Sequence, residues 1–201
     1  MKKILTLLTA VVLGASLSLH ADVEVGKPAP NFTLKDTSGK EHKLSDYKGK
    51  TVVLEWVNYG CPFVQKHYGA KNMQALQKKA ADDEVVWLSI CSSAPGKQGH
   101  MSGADATAKN EEEGNVAAAY LLDEDGKVGQ AYGATRTPEM YIINEEGVLV
   151  YHGAIDDKPT TKSEDVEGAT NYVTVALEEI TEGKPVSNPT TTPYGCGVKY
   201  P

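Results

Sequence analysis

Thr51-Val52-Val53-Leu54-Glu55-Trp56-Val57-Asn58-Tyr59-Gly60-Cys61-Pro62 decides the fold. Its first seven residues are apolar or β-branched apart from Glu55, which suits a strand covered on both faces. Pro62 is favoured at the first position of a helix, so a helix starts directly after Cys61. The strand therefore runs through a short loop into a helix with a cysteine at the junction. A thiol there sees unpaired backbone N–H groups and the positive end of the helix dipole, which favour thiolate.

Outward from this stretch, the helix is expected to continue toward Ala80 with a break near Gly69. Val85 to Ile90 reads as a second core strand ending at Cys91. A loop at Ala94 to Gly99, a helix at Ala104 to Glu113, a short strand at Tyr120 to Leu122 and a helical turn ending near Tyr132 follow. Met140 to Ile143 and Val148 to His152 form a hairpin around Asn144 to Gly147. Val173, Ala176, Leu177 and Ile180 fall at i, i+3, i+4 and i+7, one apolar stripe of a closing helix. Upstream, Asn31 to Leu34 and Glu41 to Leu44 read as a pair of strands around the Asp36–Gly39 turn. Parallel strands joined by helices place sites beyond the strand C-terminal ends, where Cys61 and Cys91 both stand.

The N-terminus carries Met1-Lys2-Lys3, an apolar run from Ile4 to Leu13 and small residues to Ala21, the pattern of a secretory signal. Cleavage after Ala21 leaves residues 22–201, and the run is too short to span a bilayer, which takes about 20 residues. The expected division is a signal peptide at 1–21, one domain at 22–183 and a C-terminal tail at 184–201. Of the 201 residues, 40% are hydrophobic, a globular share, and loss of Lys2 and Lys3 takes the formal charge from −7 to −9. With Arg136 the sole arginine and no basic patch, nucleic-acid binding is disfavoured. After signal cleavage no apolar segment remains to hold a membrane. The expected location is periplasmic or secreted.

The pieces Gly26–Phe32, Leu44–Lys50, the strand into Cys61-Pro62, Leu122–Gly126, Tyr132-Gly133 and Thr137-Pro138 together resemble the thioredoxin-like redoxin superfamily, in its exported alkyl hydroperoxide reductase/thiol-specific antioxidant branch. The resemblance covers about Gly26 to Gly153. It implies an α/β thioredoxin fold, a mixed sheet with helices on both faces, here with an N-terminal β-hairpin extension and a C-terminal tail. It places Cys61 at the active cysteine and Pro138 as the cis-proline facing it, with the Thr137 backbone aimed at the thiol. It also matches Glu55 to the buried acid of thioredoxins, a proton shuttle with a raised pKa; a rim carboxylate reaching water is the other reading. The departures are informative. Cys61-Pro62-Phe63-Val64 lacks the second cysteine of thioredoxins. Leu54 and Asn58 stand where peroxiredoxins carry proline and threonine, and Pro138 stands where their arginine falls.

Three cysteines allow at most one internal pair. Cys91 is a structural thiol, a partner for Cys61 or a spare. Cys196 lies between Gly195 and Gly197 beyond the last helix, and is expected to approach Cys61 as its resolving thiol. The closure cost of so long a loop grows only logarithmically with length. His67 lies about 600° around a helix from Cys61, so it is expected at the surface rather than as a base. His42, His100 and His152 have no ligand spacing, and Gln65 stands where a copper site would want cysteine, so no metal or cofactor is expected. The expected activity is thiol–disulfide exchange, with Cys61 as an accessible low-pKa nucleophile, disulfide-containing proteins or small thiols as substrates, and a thiol reductant as partner. Thiol peroxidase activity and a non-enzymatic binding module are the alternatives.

Overall fold

The computed structural model describes residues 23–201, so the signal-peptide reading lies outside the described residues. Strand β1 (Thr33–Asp36) and β2 (Glu41–Lys43) form the leading hairpin. Next come β3 (Val52–Trp56), α1 (Pro62–Gly69), α2 (Asn72–Asp82) and β4 (Val86–Cys91). Then follow α3 (Gly103–Glu113), β5 (Ala119–Leu122), α4 (Lys127–Ala131), β6 (Arg136–Thr137) and β7 (Glu139–Ile143). β8 (Leu149–Gly153), α5 (Tyr172–Thr181) and β9 (Cys196–Gly197) complete the chain.

Seven strands make one mixed sheet in the order β2-β1-β5-β4-β3-β7-β8. β3, β4 and β5 are parallel, with β1 antiparallel to β5 and β7 antiparallel to β3. This is the expected thioredoxin fold. The central place of β3 explains its composition. Successive side chains point to opposite faces, so Val52, Leu54 and Trp56 join Leu88, Ile90, Tyr132 and Tyr141 in one core. Val53 and Val57 join Tyr68, Met73, Trp87, Val173 and Leu177 in the other. Glu55 shares that second face and is fully buried, so the rim reading does not hold.

The break expected near Gly69 is a change of helix: α1 ends there, and Lys71 takes a left-handed conformation (φ 60°) before α2 begins. α3 is bounded by Ser102, whose hydroxyl accepts the Asp105 N–H, and by left-handed Gly114. β1 lies two residues later than the expected strand. The tail is not free of structure. β9 pairs antiparallel with β6, Arg136 opposite Gly197 and Thr137 opposite Cys196. A two-residue strand has no period to read, which is why it was not expected.

Candidate active site

Cys61 caps α1 in an extended conformation (φ −88°, ψ 124°), with Pro62 in the first helical turn. The loop before it is held by side chains. Asn58 accepts the Gly60 N–H at 2.8 Å and donates to the Gln98 carbonyl at 3.1 Å, and Gln98 donates to the Gly60 carbonyl at 2.9 Å. The Thr137–Pro138 bond is cis. The Cys61 thiol donates to the Thr137 carbonyl at 3.1 Å, and the β6–β9 pairing sets Cys196 directly opposite Thr137. That approach depends on Gly195, at φ +128°, where a Cβ would fall 2.1 Å from the Thr137 carbonyl oxygen.

The two thiols are unlike. Burial pushes the Cys61 thiol up, but hydrogen bonds from the Cys196 side chain and the Val64 and Cys196 backbone outweigh it and hold Cys61 below its ordinary pKa. Burial and the same contact with Cys61 push Cys196 up to about 11. The first proton therefore leaves Cys61. The accessible position expected for Cys61 is not found: it is 0% exposed beneath the tail, while Cys196 is half-buried. Cys91 is buried elsewhere and donates to the Gly99 carbonyl at 3.4 Å.

Glu55 forms a separate cluster. Tyr68 donates to Oε1 at 3.0 Å, and Trp87, Ser89 and Gln77 donate to Oε2 at 2.9, 2.9 and 3.2 Å. Burial raises its pKa, and these hydrogen bonds only partly offset it. None of these partners is Cys61. The structure thus brings together Cys61, Cys196, Thr137 and Pro138, and leaves Glu55 among the aromatic residues behind α1 and α2.

Two features of the site were missed in the sequence. Glu139, directly after Pro138, is fully buried; it accepts the Thr135 and Arg136 N–H groups at 2.8 and 2.7 Å, Tyr141 at 3.0 Å and His152 at 2.7 Å. It fixes the loop that carries the Thr137 carbonyl. An acid next to a family-position proline was a signal of the same kind as Glu55. The second feature is a charged cluster under the tail. Lys66 Nζ donates to the Lys158 carbonyl at 2.6 Å and to Asp156 at 3.4 Å. Tyr194 donates to Asp156 and meets His67 Nε2 at 3.0 Å, while Asn72 donates to His67 Nδ1 at 2.9 Å. His67 is 0% exposed, contrary to the surface position expected, because Tyr194 of the tail closes over it.

The His67 contacts fit a neutral imidazole, and burial, opposed by Asp156, lowers its pKa from 6.5 to about 4. A pKa lowered by folding gives stability that is present above 6.5 and is lost as pH falls toward 4, because the unfolded chain binds the proton first. Titration of unfolding free energy is expected to show a loss of about 3 kcal/mol across this window from His67. His67→Gln should flatten that segment of the curve; an unchanged slope would assign the acid sensitivity to other groups.

Residues 24–172 match the protein family described as Redoxin. Thiol-disulfide oxidoreductase ResA of Bacillus subtilis (strain 168) is 30% identical over 128 residues, covering 64% of this chain and 66% of that protein. The chain thus spans just under two thirds of that relative. Peroxiredoxin-2 of Macaca fascicularis is 30% identical over 154 residues, covering 72% of this chain and 75% of that protein. Among solved structures, an uncharacterized conserved protein from Geobacillus kaustophilus superposes with a TM-score of 0.75 at 27% identity, covering 90% of this chain and 94% of the other.

Proposed function

The chain belongs to the Redoxin family, and from that premise we propose that it is a thiol–disulfide oxidoreductase whose redox couple is Cys61 and Cys196. The observation that carries this reading is the register of β6 and β9, which sets Cys196 opposite Thr137, whose carbonyl meets Cys61. In this reading Cys196 supplies the second thiol that Val64 does not. Cys61 is the thiolate-forming member and Cys196 completes the disulfide. Pro138 and Thr137 are assigned to alignment of the two sulfurs. Glu55 is assigned to packing rather than to proton transfer, because its hydrogen bonds are spent on Tyr68, Trp87, Ser89 and Gln77. Substrates are disulfide-bearing proteins or small thiols, with a thiol reductant as partner. Export is part of the proposal and is supported by the residue 1–21 pattern, and the compartment beyond it permits disulfides to persist.

Peroxide chemistry is the second reading, since a peroxiredoxin is among the relatives. Against it, Arg136 is exposed and its guanidinium donates to its neighbour's carbonyl, Thr135, at 3.1 Å. The reduced protein is expected to be oxidised by a model disulfide in a single turnover faster than by hydrogen peroxide. Non-reducing peptide mass spectrometry should then find Cys61 linked to Cys196. A faster peroxide reaction would favour the peroxidase, and a Cys61–Cys91 link or three free thiols would remove the proposed couple.

A further inference from the structure

We infer that a partner's sulfur exchanges with this protein at Cys196, and that Cys61 works only from behind it, on the Cys196 sulfur. This deepens the proposed reading and rests on the Cys61–Cys196 couple. Displacement at sulfur requires the incoming thiolate to lie opposite the sulfur that leaves. An attack on Cys61 finds no open side: Cys61 is 0% exposed and packs in the same core as Val64, Tyr68 and Met140. An attack on Cys196 comes from the side away from Cys61. Cys196 is half-buried, and its flanks are Gly195 and Gly197, which present no side chain.

The tail is held in this posture by independent contacts on both sides of Cys196. Upstream, Tyr194 lies against Phe63, ring centroids 5.7 Å apart, and is hydrogen-bonded to Asp156 and His67. Downstream, the Val198 N–H donates to the Thr135 carbonyl at 3.2 Å, the Lys199 carbonyl accepts the Ala94 N–H at 2.9 Å, and Tyr200 donates to the Ala134 carbonyl at 2.7 Å. Cys196 is thus presented rather than loosely tethered, and the cover stays over Cys61 while exchange takes place.

The chemistry balances in either direction. In the oxidised protein a partner thiolate attacks Cys196; the Cys61–Cys196 bond breaks, Cys61 leaves as thiolate, and a partner–Cys196 disulfide forms. A second partner thiolate attacks the partner's sulfur in that bond and forms the partner disulfide; Cys196 leaves and takes up a proton. Two partner thiols are oxidised and one protein disulfide is reduced to two thiols. In reverse, the Cys196 proton passes to the Cys61 thiolate and the Cys196 thiolate attacks a partner disulfide; the partner's S–S bond breaks, a partner–Cys196 disulfide forms and one partner thiolate leaves. That thiolate takes the proton from Cys61, and the Cys61 thiolate attacks Cys196 and expels the second partner thiolate. A thiolate of lower pKa leaves faster, so the ordering of the two thiols favours Cys61 as the internal leaving group.

The test uses the full chain in its oxidised form with reduced glutathione as the probe. After a short reaction, acid quenching and alkylation with N-ethylmaleimide, peptide mass spectrometry locates the glutathione. At least about tenfold more is expected on Cys196 than on Cys61, with Cys61 carrying the alkyl group. Equal amounts, or an excess on Cys61, would overturn the inference. In Cys61→Ser treated with oxidised glutathione, the adduct on Cys196 should outlive that of the wild type by at least about tenfold, because no internal thiolate expels it. Equal lifetimes would overturn the role of Cys61. Absence of a linked Cys61–Cys196 peptide before glutathione is added would instead remove the couple itself, and the inference with it.

Discussion

Replacing Cys61 by serine is expected to bring disulfide turnover down to the uncatalysed background, a loss of about a thousandfold or more. A hydroxyl cannot form the internal disulfide. It also cannot supply a thiolate stabilised by the N-terminus of α1 and the Val64 and Cys196 hydrogen bonds. The substitution is nearly isosteric and the site already binds hydrogen through the Thr137 carbonyl, so the fold should survive, with an unfolding free energy within about 1–2 kcal/mol of wild type. Rates are to be measured with a model disulfide and a thiol reductant, beside circular dichroism and urea unfolding. Cys91→Ala, at a thiol buried outside the couple, should keep the rate within about twofold when compared at equal folded fraction. A Cys91→Ala variant that loses turnover while Cys61→Ser retains it would reverse the assignment of the active thiol.

The second large effect is on stability. Asp156→Ala is expected to cost about 3–5 kcal/mol, because it leaves the ammonium of Lys66 buried without its counter-charge. Lys66 is 1% exposed and Asp156 2%, so water cannot take the place of the lost carboxylate without opening the structure. The same substitution removes the acceptor of Tyr194 and the Asp156 Oδ1 bond to the Lys158 N–H at 3.0 Å. The tail should loosen with it, seen as faster alkylation of Cys61. Lys66→Met in the Asp156→Ala background should recover most of the loss, since a double-mutant cycle separates the unpaired charge from the lost hydrogen bonds. Urea midpoints measure the first effect and peptide-mapped alkylation the second. A loss below about 1 kcal/mol would mean that the cluster does not carry the tail.

The strand β3, the Cys61–Pro62 junction and the cis-proline position were legible because each is local: a run of apolar residues, a helix-starting proline, a proline at a family position. The parallel order of β3, β4 and β5 followed from the helices between them. The cluster around Glu55 was half legible. The acid in an apolar strand announced burial, but its donors come from α1, α2 and β4, and no spacing along the chain shows that they turn it away from Cys61. The burial of Lys66 and His67 was not legible at all. Both are polar residues on α1, and an isolated helix would expose them; what covers them is Tyr194, more than a hundred residues later. The pairing of β9 with β6 failed for the same reason, as two residues against two residues carry no pattern.

The shield over Cys61 is seated far from the sulfur it covers. The Tyr200 ring lies on Gly126 and Gly129, where a Cβ would fall 2.6 and 2.5 Å from its atoms. Neither glycine touches the couple, yet a side chain at either would unseat Tyr200 and, through the few residues between Tyr200 and Cys196, shift the cover itself. The exposure of the reactive sulfur is thus set at a remote footing, and a change there would act on reactivity without altering a single atom of the two thiols.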